Sequence, residues 1–419
     1  MSSISADPAA TGFAASHRIA IPATVRDPRL DFYRGIAMFI ILFAHTPGNF
    51  FTSWIPARWG FSDATEMFVF CSGMASAIAF GRTYDRAGWI LGTARVGHRV
   101  WQVYWANIAM FFTIAAMVAY FDSTGLFPKN YVANLNLVPF FKDTAQNMIG
   151  LFTLTYVPNY FDILPMYLGI LAMMPLIMAA ARIHLWLVAA LVILIWFFAQ
   201  HLVLQKLGNP ELALSLPAEP WSARQWFFNP FGWQLVFFTG FAFMRGWLPR
   251  PPVHTWLIIL AALIVVANIP LSNIGVRAIS HKWFGTFDHN WVISWRIAHK
   301  WLFYKSDFGI LRYVQFLALA YLGWVAAGEG GKRLISTGQT RLSILWAYVV
   351  KVIMKVGSQS LAVFVFSMVF ARLLGMTLDY IGRTTLITTL ANFIGMAALV
   401  AVAYFVSWIK RHPWRTAKV

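Results

Sequence analysis

Charge and cysteine are both scarce in this chain. Only 11% of its 419 residues are charged, whereas 59% are hydrophobic; an ordinary soluble domain is roughly 25% charged. This composition excludes a typical soluble protein and indicates an integral membrane protein. The single cysteine, Cys71, excludes an internal disulfide and any multi-cysteine metal site, and we expect no bound metal. We interpret Cys71 as a small apolar helix residue rather than a thioester-forming nucleophile.

Acidic residues are scarcer than basic ones. The chain has 33 Lys and Arg against 15 Asp and Glu, a net charge of +18. Nucleic-acid-binding proteins share such an excess, but here the basic residues lie in short clusters between apolar runs rather than on one basic domain. We therefore interpret them as topology signals and expect no nucleic-acid partner.

The amino terminus lacks a secretory signal. Residues 1–28 are small, polar and Pro-containing, and no short apolar stretch is followed by a small-residue cleavage site. No linker, repeat or low-complexity tract divides the rest of the chain. We predict a flexible cytoplasmic tail at 1–28 and a single transmembrane domain at 29–419.

Long apolar runs are abundant. Runs of about 20 residues are long enough to cross a bilayer as helices. They predict an all-α, polytopic membrane protein with about ten transmembrane helices, surrounded by membrane lipids. The runs lie at 30–46, 62–81, 101–121, 160–181, 185–203, 229–245, 254–271, 309–327, 357–377 and 385–408.

The Lys and Arg residues between these runs predict the orientation. Alternate loops carry the excess positive charge, which places both termini in the cytoplasm. The segment 272–308 falls on the other side and is also basic, but long loops count little in this rule. The cytoplasmic loops hold Arg82, Arg86, Arg95, Arg99, Arg182, Arg245, Arg250, Lys332, Arg333, Arg341, Lys410, Arg411 and Arg415.

The first run lies within "RLDFYRGIAMFIILFAHTPGN" at 29–49 and carries an aspartate and an arginine near one end and a histidine near the other. Arg34 and His45 are eleven residues apart, so both project from one helix face, about 16 Å apart along the axis. Asp31 lies one turn before Arg34. With the amino terminus inside, Asp31 and Arg34 belong at the cytoplasmic interface and His45 near the bilayer midplane. The residues "TPGN" end the helix, because Pro lacks a backbone donor and Gly and Asn favour turns.

The break after His45 predicts a cavity, because non-helical backbone at membrane depth is tolerated only where it is buried in protein or lines water. Two less specific interpretations stay open: Asp31 and Arg34 form an interfacial i,i+3 pair, and His45 hydrogen-bonds between helices. Ionisable groups inside a membrane are functional by default, since each costs a few kcal/mol to insert. We therefore favour catalysis or transport at His45.

The second run begins with two carboxylates, Asp63 and Glu66. Their spacing matches a capping box at a helix amino terminus, so both residues have a structural explanation. A carboxylate in this place would also orient a neutral imidazole and raise its basicity, as a general base requires. Both interpretations of Glu66 stay open.

Several sequence blocks together resemble one family, OpgC, whose members are membrane proteins that add succinyl groups to osmoregulated periplasmic glucans. The resemblance covers nearly the whole chain. It lies in "RDPRLDFYRGIAMFIILFAHTPGN" at 26–49, "GFSDATEMFVFCSG" at 60–73, "YVPNYFDILPMY" at 156–167, "FNPFGWQLVFFTG" at 228–240, "KSDFGILRYVQFLALAYL" at 305–322 and "GSQSLAVF" at 357–364.

This resemblance implies an O-acyltransferase of the bacterial inner membrane. OpgC-like proteins in turn resemble the transmembrane acyltransferase superfamily, in which an arginine and a histidine of the first helix are implicated in acyl transfer; those positions here are Arg34 and His45. The donor would be cytoplasmic acyl-CoA, with succinyl-CoA expected, and the acceptor a periplasmic glucan. A histidine commonly stands in the family where this chain has Gln315, so a second imidazole is not expected there.

Chemistry and resemblance together assign candidate roles to three sets of residues. His45 acts as base or acyl carrier, and Arg34, Asp31 and Glu66 complete the catalytic set. The aromatic segment 281–304 either meets the glucan or anchors the chain at the membrane interface. The nucleotide of the donor would rest on Arg34, Arg82, Arg86, Arg95 and Arg99, and the acceptor on Asp63, Asn159, Asp162, Trp233, Gln234, Lys305 and Arg312.

A second function class fits the same buried charges. A proton-coupled transporter, or a flippase of a glycan or lipid-linked sugar, also needs ionisable groups inside the membrane. Against it stand the lack of paired, similarly interrupted helices in the two halves and the off-centre charges of the first two runs. A scaffold without chemistry leaves the buried His, Arg and carboxylates unexplained. Whether the protein forms a homo-oligomer stays open.

Overall fold

The structure is a computed structural model that describes residues 27–127, 129–285 and 290–416. Within these ranges the secondary structure is helical, and extended backbone pairs only in an isolated bridge between Pro217 and Gln225. The all-α prediction is therefore confirmed. The tail predicted at 1–28 falls outside the described residues except for its last two positions.

The longest α-helices are numbered α1 to α11 along the chain. They are α1 Pro28–His45, α2 Ala64–Ser76, α3 Arg82–Ser123, α4 Ile163–Ile183, α5 Leu185–Phe198, α6 Pro230–Arg245, α7 Thr255–Ala267, α8 Ile310–Ala327, α9 Arg341–Ser358, α10 Ser360–Ile381 and α11 Thr385–Ile409. Two π-helical turns lie at Ala77–Gly81 and Gly275–Ser280. The other short helical segments are Phe50–Trp54, Pro56–Trp59, Tyr131–Asn134, Val138–Lys142, Thr144–Thr153, His201–Lys206, Pro210–Leu212, His281–Phe284, Trp291–Ala298, Lys300–Phe303, Glu329–Gly331 and Pro413–Thr416.

Local sequence signals determine where helix α1 begins and ends. The Asp27 carboxylate accepts a hydrogen bond from the amide of Arg29 at 3.0 Å, and Pro28 occupies the first helical position, where its missing N–H costs nothing. At the other end α1 stops at His45, and Gly48 takes φ +68°. The predicted end of the first helix at "TPGN" is confirmed.

A chain reversal at Gly88 divides α3 into two parts. Gly88 has φ +79° and ψ −178°, a conformation essentially restricted to glycine. The reversal folds Tyr84 against Gly92, where a Cβ would overlap the Tyr84 ring. The predicted span 101–121 lies in the second part of α3. The arginine-rich segment before it, which we predicted as a loop, is helical on both sides of Gly88.

Two helix pairs cross with their backbones in contact. A Cβ on Gly73 of α2 would overlap the carbonyl oxygen of Phe237 on α6. Helix α1 meets α9 in the same way, because a Cβ on Gly35 would overlap the carbonyl oxygen of Ile353 and one on Gly357 would overlap the α1 backbone. Small residues permit such close approach between membrane helices. These two crossings fix the position of α1 and α2 within the bundle.

Helix α9 is the main element that the sequence analysis did not predict. Its 18 residues include Arg341, Lys351 and Lys355, so it does not stand out as an apolar run of spanning length. One face packs on α1, while Ile344 and Tyr348 on the other are 60% and 64% exposed. Such a helix is recognised by its 3.6-residue period, which a search for uniformly apolar runs does not detect.

Each of the ten predicted spans coincides with a helix, although the helices differ in length. In the described chain, five helical stretches are long and apolar enough to cross a membrane, whereas α5 and α7 are apolar but shorter. The five stretches are Ala64–Ser123, Ile163–Ile183, Ile310–Ala327, Ser360–Ile381 and Thr385–Ile409. The architecture is that of a multi-pass membrane protein; the number ten and the cytoplasmic termini stay predictions.

Candidate active site

His45 is the last residue of α1 and is partly exposed. Its Nδ1 atom lies 2.8 Å from the carbonyl oxygen of Ile41. A carbonyl oxygen only accepts hydrogen bonds, so in the neutral ring Nδ1 carries the proton and Nε2 is left as an acceptor. The end of α1 therefore presents a nitrogen that is able to take a proton.

Two residues that sequence reasoning missed, Tyr160 and Arg372, stand beside His45. The Tyr160 and His45 rings meet edge to face with centroids 5.3 Å apart, and the Arg372 guanidinium lies 3.9 Å from the centre of the Tyr160 ring. The Tyr160 hydroxyl donates to the carbonyl of Met368 at 2.7 Å. Arg372 is close enough for its charge to act on His45, and its Nε is buried without a hydrogen-bond partner.

One sequence signal would have found Arg372. It is a lone charge inside the predicted span 357–377, and a charge in such a run is a functional candidate by the same rule that selected His45. No comparable signal marks Tyr160. Its backbone takes φ +86°, an uncommon conformation for a residue with a side chain, and only the folded chain reveals it.

A network of four charges lies at the amino terminus of α2. Glu66 is fully buried, and its carboxylate accepts from Arg312 Nε at 2.8 Å and from the amide of Asp63 at 2.8 Å. Asp63 in turn lies 2.6 Å from Lys305 Nζ and 3.5 Å from Arg312. The capping-box interpretation is confirmed. Among the described residues, the hydrogen bonds of Glu66 thus run to Arg312 and the helix end rather than to an imidazole.

This charge network borders a small cavity of about 170 Å³. Asp63, Lys305 and Arg312 all line it, together with the aromatic rings of Phe61 and Phe303. Three of the predicted acceptor-binding residues are therefore brought together from distant parts of the sequence. Lys305 and Asp63 are also close enough for their charges to act on His45.

Gln315 supports the chain that leads into α2. Its side-chain oxygen accepts hydrogen bonds from the amides of Phe61 and of Ser62, the latter at 3.1 Å. The residue is 2% exposed, and a Cβ on Gly60 would overlap its amide group. Gln315 therefore holds the loop before α2 in place.

The opposite end of α1 holds Asp31 and Arg34, both of which are buried. Arg34 donates a hydrogen bond to the hydroxyl of Ser360 at the start of α10. Asp31 lines a second, larger cavity. Arg34 and His45 therefore lie at opposite ends of α1, about 16 Å apart along the helix axis.

The four predicted donor-binding arginines of α3 lie around the reversal at Gly88. Arg95 donates to the hydroxyl of Thr83 at 2.9 Å, and Arg99 donates to Gln102 at 3.1 Å. None of them lines either cavity described here. Arg82, Arg86 and Arg95 are exposed, and Arg99 is partly exposed. Together these four arginines form a basic surface.

Asn159 and Asp162 sit in the turn before α4. Asn159 is exposed and accepts from Arg224 at 3.3 Å, whereas Asp162 is buried and its Oδ1 has no hydrogen-bond partner. Arg224 also pairs with Glu219 at 3.0 Å. Burial raises the pKa of Glu219, but hydrogen bonds from Ser222 and Arg224 outweigh it and hold the pKa below its usual range. Asn159 is thus part of a fixed polar loop.

Trp233 and Gln234 on α6 are both fully buried. The Trp233 ring nitrogen donates to the carbonyl of Lys305 at 3.0 Å, and the Gln234 amide donates to the carbonyl of Val192 at 2.7 Å. Neither side chain has surface left for a sugar in this arrangement. Their contacts hold α6 against α5 and against the segment before α8.

Fold and site together define a class: a multi-pass helical membrane protein with a histidine at a broken helix end, flanked by buried charges. The family model described as OpgC protein matches residues 26–411. The chain belongs to the OpgC family, and membership implies succinylation of osmoregulated periplasmic glucans, with a succinyl donor and a glucan acceptor. No curated protein and no solved structure matches the chain.

Proposed function

We propose that the protein is an O-acyltransferase that moves a succinyl or related acyl group from cytoplasmic acyl-CoA to hydroxyls of a periplasmic glucan. The observation that carries this proposal is the geometry of His45. Its Nδ1 is engaged by the carbonyl of Ile41, so Nε2 is the acceptor, and Arg372 stands close by. A neutral imidazole with an available nitrogen is what deprotonation of a sugar hydroxyl requires.

In the proposed reaction the glucan hydroxyl oxygen attacks the thioester carbonyl carbon while Nε2 of His45 takes the hydroxyl proton. The tetrahedral intermediate then collapses, the C–S bond breaks, and the CoA thiolate leaves and receives that proton from His45. The ester remains on the sugar. Arg372 supplies fixed positive charge for the oxyanion that develops on the carbonyl oxygen.

A nucleophilic route uses the same residue. Nε2 of His45 attacks the thioester, takes the acyl group and passes it to the glucan hydroxyl. Labelled succinyl-CoA without glucan distinguishes the two routes after rapid quenching: label stays on the protein only if an acyl-histidine forms.

The remaining candidates divide between the two substrates. Asp63, Lys305 and Arg312 line one cavity, and the charges of Asp63 and Lys305 act on His45, which supports a role in holding glucan hydroxyls. Asn159 and Asp162 supply further polar groups before α4. Asp31 and Arg34 belong to the donor end of α1, with the basic surface of Arg82, Arg86, Arg95 and Arg99 available to its phosphates.

The direct test is acyl transfer itself. Membranes with and without the protein are incubated with labelled succinyl-CoA and a neutral periplasmic glucan, and the negative charge gained by the glucan is measured. We expect charge and label to appear together on the glucan only when the protein is present. Equal glucan modification in both membranes contradicts the transferase and favours the carrier.

Sidedness of supply tests the route across the membrane. In sealed vesicles of known orientation, acyl-CoA should work only from the face that bears Arg82 to Arg99, and glucan only from the other face. The charged nucleotide does not cross about 30 Å of hydrocarbon unaided, so the face of supply reports the face of binding. Activity with both substrates on the cytoplasmic face alone contradicts this route.

A further inference from the structure

A cavity of about 550 Å³ lies between α1, α9 and the end of α11. Much of its lining is apolar, including Leu334, Val350 and Met354, and Tyr404 adds an aromatic ring. Asp31 lines it from α1. The cavity therefore adjoins the amino-terminal end of α1, which the loop charges predict to be cytoplasmic.

The charges of this cavity are unbalanced. Among the residues that the structure describes, its lining includes three cations, Lys351, Lys355 and Arg411, and a single carboxylate, that of Asp31. Lys351 and Lys355 are four residues apart on α9, so they share a helix face on which like charges repel. Lys355 Nζ donates to the hydroxyl of Ser407 at 2.6 Å.

The other two cations have no anionic partner within the described ranges of the chain: neither Lys351 nor Arg411 forms a side-chain hydrogen bond or ion pair there. Three cations beside an apolar wall match the chemistry of an anion with a non-polar portion. Arginine and lysine grip phosphate oxygens by charge-assisted hydrogen bonds.

We propose that this cavity is a binding site for the phosphate groups of an amphiphilic anion. Two molecules at a membrane surface share this chemistry, the acyl-CoA donor and an anionic phospholipid. The donor assignment rests on the proposed function: Asp31, in the wall of the cavity, lies one turn from Arg34 on the helix that ends at His45, about 21 Å further along the axis. The donor then enters beside α9, and its acyl arm follows α1 inward.

The experiment measures binding by the full chain in nanodiscs of zwitterionic lipid. Coenzyme A binding is followed by titration calorimetry, and retention of added phosphatidylglycerol by mass spectrometry. The variants are Lys351→Ala, Lys355→Ala and Arg411→Ala, singly and combined, and the double variant Lys351→Arg with Lys355→Arg. Lys142→Ala is the control, because Lys142 is exposed and lies outside the cavity lining.

For the combined alanine variant we expect coenzyme A binding weakened at least about tenfold, with phosphatidylglycerol retention unchanged. The arginine variant should bind coenzyme A like the unaltered protein, since it keeps the charges. Loss of phosphatidylglycerol with unchanged coenzyme A binding supports the phosphate site and overturns its assignment to the donor. Unchanged binding of both ligands in correctly folded variants overturns the site.

These readouts separate the site from the proposed function. A protein that binds coenzyme A through Lys351, Lys355 and Arg411 but transfers no acyl group keeps the site and contradicts the function. A combined variant that transfers the acyl group at unaltered speed with limiting donor keeps the function and overturns the assignment of the site to the donor.

Discussion

Two polar clusters approach the carboxyl-terminal end of α1, and they differ in charge balance. Asp63 and Glu66 face Lys305 and Arg312, so two carboxylates meet two cations. Beside His45, Arg372 has the face of an aromatic ring as its partner, and no carboxylate among the described residues pairs with it.

This difference in charge balance distinguishes a cluster that stabilises the fold from one that takes part in the reaction. In a buried, balanced network each charge compensates another, and loss of one partner leaves the other uncompensated. An unbalanced cation beside a proton acceptor instead favours negative charge that arrives from outside, as it does on a carbonyl oxygen in a transition state. We therefore assign the buried pair of Glu66 and Arg312 in the first cluster to holding α2 and α8 together, and the cluster beside His45 to the reaction.

The sharpest test of this division is His45→Ala, for which we expect complete loss of acyl transfer with normal membrane insertion. Removing a polar group eases insertion, while the base or acyl carrier disappears. Transfer is measured with labelled succinyl-CoA, and His98→Ala, an exposed histidine on α3, is the matched control. More than trace activity in a folded His45→Ala protein contradicts the assignment.

Glu66→Ala should mainly destabilise the protein, by about 3–5 kcal/mol, because buried Arg312 loses the carboxylate that accepts its hydrogen bonds and keeps only the longer contact with Asp63 at 3.5 Å. Thermal unfolding in detergent measures the change. Asp85→Ala removes an exposed partner of Arg245 and should cost only about 0–1 kcal/mol. A combined Glu66→Leu and Arg312→Met variant should recover much of the loss. Equal unfolding temperatures for Glu66→Ala and Asp85→Ala would show that the charge network at the start of α2 does not stabilise the fold.

Arg372→Met should lower turnover by about 100-fold and leave stability nearly intact, since it removes one charge proposed to stabilise the oxyanion. Arg372→Lys keeps the charge and should recover part of the rate. The measurement is kcat at saturating donor and glucan, with the exposed Arg341→Met as control. If Arg372→Met unfolds the protein like Glu66→Ala, the division between the two clusters fails.

Arg34→Lys should have the smallest effect, a severalfold rise in KM for acyl-CoA with the fold intact. Lysine keeps the charge but loses the planar fork that grips an anion at two points. Steady-state kinetics with varied donor give the result, and glucan KM serves as the internal control. Unchanged KM and turnover rule out a donor role for Arg34.

Local signals explain what could be predicted from the sequence. The break after His45 and the capping box at Asp63 each lie within a few residues, so the end of α1 and the start of α2 could be predicted. The pairing of Asp63 with Lys305 could not, because the two residues are 242 positions apart. Local patterns select candidates for a site, and only the folded chain shows which of them meet.

Two further misses have different causes. The two lysines of α9 were hidden because charges interrupt its apolar face, although their i,i+4 spacing was visible. Trp233 and Gln234 were selected by chemical type, yet burial gives them packing contacts instead of open surface. Residue type suggests what a side chain is able to bind, and its exposure decides whether it does.

The glycine crossings restrict how the bundle moves. Where Gly73 of α2 meets α6 and Gly35 of α1 meets α9, main chain touches main chain, so neither pair slides without a steric collision. Helices α1, α2, α6 and α9 then behave as one rigid block, since α1 also packs on α2. A carrier that alternates its access would have to break this block. In the proposed reaction the helix stays still, and the acyl group is the part that travels.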